Sequence, residues 1–264
     1  MRSYGFNIES GSQQGLLFED IERKGYSLLK SLITSDAAAD FCNLLESVYE
    51  KQCEEFGLKE LELINELNIV RCPLGYKNDF LKLALNETIL NIVESVIGKE
   101  FQLHLQNAVI NRANSQHHQS AWHRDLPYQN WVCSKVLSIN AFFCLTPFNI
   151  ETGGTQFIES SHLSENIPSK EFMDKHAKTL IAEPGDVIIF NSMLLHRAGQ
   201  NVSNMDRFGI NHVYTVPIIS QQIDLPRFLT KENIEDAVSR KILGYKYESS
   251  VSVNDYRLKR MNKK

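Results

Sequence analysis

The chain carries few of the features that would take it out of ordinary globular chemistry. It has only five cysteines in 264 residues. They are odd in number, widely spaced and without a C-x-x-C pair, so neither a disulfide framework nor a zinc ribbon is expected, and a reducing cytoplasm fits best. No apolar run reaches the roughly 18 residues of a membrane span, and the polar segment Met1 to Gly11 lacks the apolar stretch of a signal peptide. Neither export nor a membrane partner is therefore expected. Charge of one sign is also lacking: Lys plus Arg number 28 against 32 Asp plus Glu, a net charge of −4. Such a balance gives no field that would draw in a polyanion, which excludes nucleic acid as an expected partner. Repeats and low-complexity segments are absent.

What is present is a composition of 42% hydrophobic and 23% charged residues, that of one large soluble domain over 1–264. Its core is expected at about 20–220, with a C-terminal helix and basic tail at 230–264. Thr34, Ser35 and Asp36 offer capping oxygens before a helical stripe of Phe41, Leu44, Leu45, Val48 and Tyr49. A second helix follows Asn86, with Ile89, Ile92, Val93 and Val96 on one face and Gly98 as its stop. From Phe101 the period changes to two: Phe101, Leu103 and Leu105 alternate with Gln102, His104 and Gln106, and the strand runs on to Asn111. Further strands are expected over 135–145, 155–159, 187–191 and 208–216. Thr152-Gly153-Gly154 and Glu183-Pro184-Gly185-Asp186 read as turns between them. Helices first and strands afterwards predict a mainly β fold, a sandwich or barrel buttressed by N-terminal helices. Near the end, Thr230 caps a helix expected through Ile242. Arg257, Lys259, Arg260, Lys263 and Lys264 then read as a solvated tail.

The residues that carry chemistry are His123 and Asp125. Two apart on an extended chain, they leave the same face and can converge on one ion. Chance pairs of this kind are common, so a third ligand is needed. His196 supplies it, at the end of the strand that follows Pro184-Gly185-Asp186. Two imidazoles and one carboxylate occupy one face of an octahedral ion and leave three positions open, whereas a structural zinc site closes its coordination. Arg207 stands eleven residues later, where a hairpin would return it beside the metal. Its guanidinium can hold a carboxylate bidentately, as lysine cannot.

Trp122-His123-x-Asp125, Thr152-Gly153-Gly154, Ser161-His162, Pro184-Gly185-Asp186, His196 and Arg207 together resemble the phytanoyl-CoA dioxygenase family, over roughly residues 20 to 220. The resemblance implies a double-stranded β-helix (a jelly-roll or cupin-like barrel), Fe(II) as metal, 2-oxoglutarate as co-substrate, and O2 as oxidant. It further implies hydroxylation of a substrate with release of succinate and CO2. Carried over by position, it places Asn111 and Trp122 near the 2-oxoglutarate, and Phe142 on the strand behind it. The chain departs from the family at Glu159-Ser160-Ser161-His162, where a Pro-Gly-Ser-His turn is usual. Asp125 is retained, unlike the Ala or Gly that resembles halogenases.

Selectivity is expected in the residues that flank the ligands. Arg112, Tyr128 and Trp131 are candidate substrate-binding groups, and His117, His118, Gln119 and Gln129 are further cavity or lid groups. Adjacent His117 and His118 point apart on an extended chain and do not read as a metal pair. His104, His176 and His212 read as hydrogen-bonded structural histidines, and His162 as a turn residue. The substrate is expected to be a small polar metabolite. Two other readings stay open: an iron oxygenase or isomerase of the same fold that does not use 2-oxoglutarate, and a catalytically inactive barrel that serves as a binding module.

Overall fold

The computed structural model describes residues 11–115, 117–126, 132–229 and 234–261. The strands are β1 (Tyr26–Leu29), β2 (Ile69–Arg71), β3 (Gln102–Asn111), β4 (Ser138–Cys144), β5 (Thr155–Phe157), β6 (Lys178–Thr179), β7 (Val187–Asn191), β8 (His196–Ala198) and β9 (Arg207–Thr215). They form a large sheet of order β1-β7-β4-β9-β3-β2 and a small one of order β6-β5-β8, all antiparallel. This is the expected double-stranded β-helix. Between the sheets lie Phe142, Phe148, Phe157, Ile188, Phe190 and Leu194.

Helices cover the other face of the large sheet. α1 (Gln13–Arg23) precedes β1, and α2 (Ser35–Phe56), α3 (Leu58–Leu63), α4 (Asp79–Ala84) and α5 (Glu87–Ile97) follow it. Thr34 caps α2, its Oγ1 accepting from the Ala37 amide at 3.2 Å. Leu45, Val48 and Tyr49 of the expected stripe are buried. Asn86 caps α5 by accepting from the Ile89 amide at 3.2 Å, and Gly98 ends it at φ +97°, a conformation open to glycine. The core on this side joins Leu45, Phe80 and Ile89 to Phe143, Ile210 and Tyr214 of the sheet. α6 (Lys170–His176) lies between β5 and β6.

Several boundaries differ from the sequence reading. The strand expected from 135 begins at Ser138. Residues 230–233, with the Thr230 cap, lie outside the described residues. The helix expected from there is α8 (Ala237–Ile242), preceded by the short α7 (Leu225–Phe228). It starts late because Asp236 caps it, accepting from the Ser239 amide at 2.7 Å. Part of the expected tail is helical, as α9 (Val253–Met261), and none of its residues is buried.

The main departure lies within β3. A bulge shifts the register between Leu103 and Leu105, so that Leu103 faces Tyr214 and Leu105 faces Val213 with His104 between them. Leu103 is buried in the helix-side core, while Leu105 lines the cavity between the sheets. The alternation that placed both leucines on one face is broken by this one extra residue, and His104 turns into the cavity as well. The Pro184-Gly185-Asp186 turn is structural: Asp186 accepts from Lys30 Nζ and the Ser31 amide, and a side chain on Gly185 would meet the Ile33 carbonyl at 2.1 Å.

Candidate active site

His123 and His196 are tied backbone to backbone by two hydrogen bonds of 3.0 Å, a single bridge that lays residue 123 alongside β8. The Asp125 amide donates to the Ser192 carbonyl at 3.0 Å, and Asp125 sits in a bend rather than on a regular strand. Its side chain nevertheless turns to the same point. One ligand atom from each of His123, Asp125 and His196 lies within 4.8 Å of the others, the group of this kind found among the described residues. Asp125 Oδ1 stands 3.8 Å from His123 Nε2 and 3.5 Å from His196 Nε2.

Backbone carbonyls decide which ring nitrogens face the centre. His123 Nδ1 lies 2.9 Å from the Ala121 carbonyl and His196 Nδ1 lies 2.9 Å from the Leu194 carbonyl. A carbonyl only accepts, so Nδ1 carries a proton in each ring and Nε2 turns toward Asp125. Two imidazole Nε2 atoms and a carboxylate oxygen then converge, a donor set that fits a divalent transition metal. Burial alone pushes the Asp125 carboxyl up, but His196, His123 and the Asn140 amide outweigh it and hold the group below its ordinary value. Burial likewise pushes His196 down, and the Asp125 charge and hydrogen bond reverse the direction. Asp125 is therefore ionised and ready to act as a ligand.

The outer oxygen of Asp125 is held by two residues that the sequence reading missed. Asn140 and Asn211 both donate to Oδ2, Asn211 at 3.3 Å, and Asn140 Nδ2 also meets Asn211 Oδ1 at 3.1 Å. Ser192 donates to Asn140 Oδ1 and is paired with Ser138 at 2.6 Å. The available signal was an asparagine amid apolar residues in each of two strands, since a buried amide needs partners.

Arg207 is only 1% exposed, and its Nε and Nη1 have no hydrogen-bond partner among the described residues. Its guanidinium lies 4.4 Å from the Phe148 ring centroid, and Phe142 packs edge-on against that ring at 5.6 Å. Burial pushes the Arg207 pKa down to about 10, against a weaker upward pull from Cys144. Gly209, two residues on, gives the aromatics room: a side chain there would meet Phe142 at 2.4 Å. Arg207, Phe142, His123, Asp125, His196 and Asn211 line one cavity of about 550 Å³, within the range of small-molecule sites.

Other expected residues are placed elsewhere. Trp122 alternates with His123 and so turns to the opposite side, packing on Ile158, Met173 and Leu195 with Arg197 4.5 Å from its ring centroid. It does not line the cavity. Asn111 faces Arg207 across the strands, but its amide donates to the Gly199 carbonyl at 3.0 Å, tying down a turn instead of forming the cavity wall. The Arg112 guanidinium is committed to Glu46 and to Asp206, the latter at 2.8 Å, so it joins α2 to the segment before β9. Tyr128, Gln129 and Trp131 lie outside the described residues. Gln119 lines the cavity. His176 is exposed against Phe172, and His162 meets the Glu22 carbonyl at 3.0 Å. Its turn keeps the conformation of a glycine, with Ser160 at φ +62°.

The sequence profile of the phytanoyl-CoA dioxygenase family (PhyH) matches residues 21–209. An uncharacterized protein of Mycobacterium tuberculosis is 27% identical over 256 residues, covering 94% of this chain and 93% of that one. HygX of Streptomyces hygroscopicus, solved with iron bound, superposes with a TM-score of 0.60 at 15% identity, over 88% of this chain and 94% of its own. The epimerase SnoN, solved with Fe3+, α-ketoglutarate and nogalamycin RO, does so with 0.59 at 15% identity, over 76% of this chain and 83% of its own. These two likenesses concern the fold. The profile spans most of the chain, including the three converging side chains and Arg207, and the chain belongs to the phytanoyl-CoA dioxygenase family of iron- and 2-oxoglutarate-dependent oxygenases.

Proposed function

We propose that the chain hydroxylates a small polar metabolite, with Fe(II) held by His123, Asp125 and His196 and 2-oxoglutarate anchored by Arg207, releasing succinate and CO2. The observation that carries this reading is the buried guanidinium of Arg207, whose Nε and Nη1 lack partners in the same cavity as the three ligands. A buried, uncompensated cation is costly, and a carboxylate offers the charge and the two acceptors it lacks. Bound iron with 2-oxoglutarate supplies the oxidising power, and the protein supplies position and dryness. His123 and His196 present Nε2, their tautomers fixed by backbone carbonyls. Asn140 and Asn211 hold the far oxygen of Asp125 and so aim the near one. Phe142 and Phe148 keep water from the Arg207 end.

A reaction without 2-oxoglutarate would leave the burial of Arg207 unexplained. HygX and SnoN share the fold, and SnoN is an epimerase, so the outcome of oxidation needs a direct test. Turnover under labelled oxygen gas is expected to place one labelled atom in succinate and one in the product. Succinate formed with an unlabelled, rearranged product would overturn hydroxylation. Replacing His123 or Asp125 by Ala is expected to abolish succinate formation, and full turnover in either variant would sink the ligand assignment.

A further inference from the structure

We propose that the β3 bulge builds a recognition subsite for an uncharged, hydroxyl-rich substrate, with His104 as its positioning residue. This deepens the reading above and rests on it. The subsite lies away from Arg207 on the same cavity wall. Across the strands, Asn211 faces Asn107 and Asn107 faces Arg71, a row leading from the Asp125 support to the edge strand β2 over about two strand spacings, roughly 10 Å. Arg71, His104, Asn107, Ser220, Gln221 and Gln222 line the cavity there.

The chemistry of this wall is polar and uncharged. Arg71 gives its Nε and Nη2 to Glu66, which cancels its charge locally and leaves Nη1 directed to Gln222 at 3.4 Å. The side-chain amides of Asn107 and Gln222 meet at 2.9 Å, and the Gln222 backbone amide donates to the His104 carbonyl at 3.0 Å. The bulge thus docks the 220–222 loop beside the cavity. His104 itself is 5% exposed, and its Nδ1 has no hydrogen-bond partner among the described residues. Burial pushes its pKa down, against weaker upward pulls from a backbone hydrogen bond at Ser220 and from the Asp125 charge, so the ring is neutral. A neutral imidazole, two carboxamides and a guanidinium already neutralised offer donors and acceptors together. Hydroxyl groups, which both donate and accept, satisfy such a wall, whereas a carboxylate would compete with Glu66 for Arg71. The bulge sets His104 and Leu105 side by side on this face, where strict alternation would have placed only one of them.

The test uses the full chain loaded with Mn(II) and 2-oxoglutarate, with myo-inositol and glucose as neutral probes and glucuronate as the charged counterpart of glucose. Binding is read by calorimetry or ligand-detected NMR. The neutral probes are expected to saturate, and glucuronate to bind at least about tenfold more weakly. His104→Ala is expected to weaken the neutral probes about tenfold, the cost of one lost hydrogen bond in a buried site. His104→Gln should recover part of that loss, and both variants should bind 2-oxoglutarate as the unaltered chain does. Glucuronate binding as tightly as glucose, neutral binding unchanged in His104→Ala, or no saturation by either neutral probe overturns this inference alone when 2-oxoglutarate binding is intact. A chain that fails to bind 2-oxoglutarate overturns both this inference and the reading beneath it.

Discussion

Asn140 and Arg207 serve the site in two different ways at the residue scale. Asn140 touches Asp125 through its far oxygen and not the ligand point itself, so it positions the carboxylate. Asn140→Ala is expected to weaken Fe(II) binding about 10–100-fold, read by anaerobic titration, with the chain still folded; unchanged affinity would remove Asn140 from the site. Arg207 is the opposite case, a group whose burial opposes folding. Its pKa is depressed by burial to about 10 from an ordinary 12.5, so the penalty is fully present below about pH 10 and eases above it. Arg207→Met is therefore expected to raise stability at neutral pH by about 1–4 kcal/mol in denaturant titration. The same variant should raise the KM for 2-oxoglutarate about hundredfold or more. A variant that is less stable, or that keeps its KM, would contradict this account.

At the scale of elements, short pieces of backbone hold the site together. β8 is only three residues long, yet it carries His196 and bridges to His123. Its neighbour β5 follows Thr152-Gly153-Gly154, where Gly153 sits at φ +71°. A side chain on Gly153 would meet the Gly199 carbonyl at 2.4 Å and the Asn111 amide at 2.7 Å. Gly153→Ala is thus expected to cost at least about 2 kcal/mol, through left-handed strain and a backbone clash. It should also lower metal affinity, because Gly199 directly follows β8. Thermal unfolding and metal titration of the variant check both, and a stability equal to that of the unaltered chain would show that the turn can relax. The β3 bulge works at the same scale: one extra residue sets Leu105 beside His104 on the cavity side while Leu103 stays in the core.

For the molecule as a whole, the helix-side core contains a histidine whose cost depends on pH. His212 is fully buried, within 2.8 Å of the Gln106 amide nitrogen and edge-on to Phe143 at 5.2 Å. Burial pushes its pKa down from 6.5 to about 3, against a weaker upward pull from the Ala141 carbonyl. The unfolded chain takes up the proton first, so this stability is present above pH 6.5 and is lost as pH falls toward 3. Between pH 6.5 and 4, His212→Gln is expected to lose up to about 3 kcal/mol less than the unaltered chain. Parallel stability curves for the two proteins would rule His212 out as the source. Among the described residues no helix is long and apolar enough to cross a membrane.

Much of this was legible in the sequence because it depends on local period and spacing. The α2 and α5 stripes and caps, the strand that ends at Asn111 and the approach of His123, Asp125 and His196 all follow from which residues stand a few positions apart. Arg207 could be named for the same reason, from its guanidinium and its place at the start of a strand. The roles of Asn140, Asn211, Arg112 and His104 could not be read in this way. Their partners lie tens of residues away, as Asn140 does from Asn211 and Arg112 from Glu46, and only strand order and register bring them together. That His104 and Leu105 share the cavity face depends on the extra residue in β3, which alternation cannot show because it is a break in alternation. The sequence by itself determined the family and the candidate ligand set; the tertiary structure decided what supports those side chains, which arginine is spent on an ion pair, and which polar side chains face the cavity, because each of these is settled by contacts between distant segments.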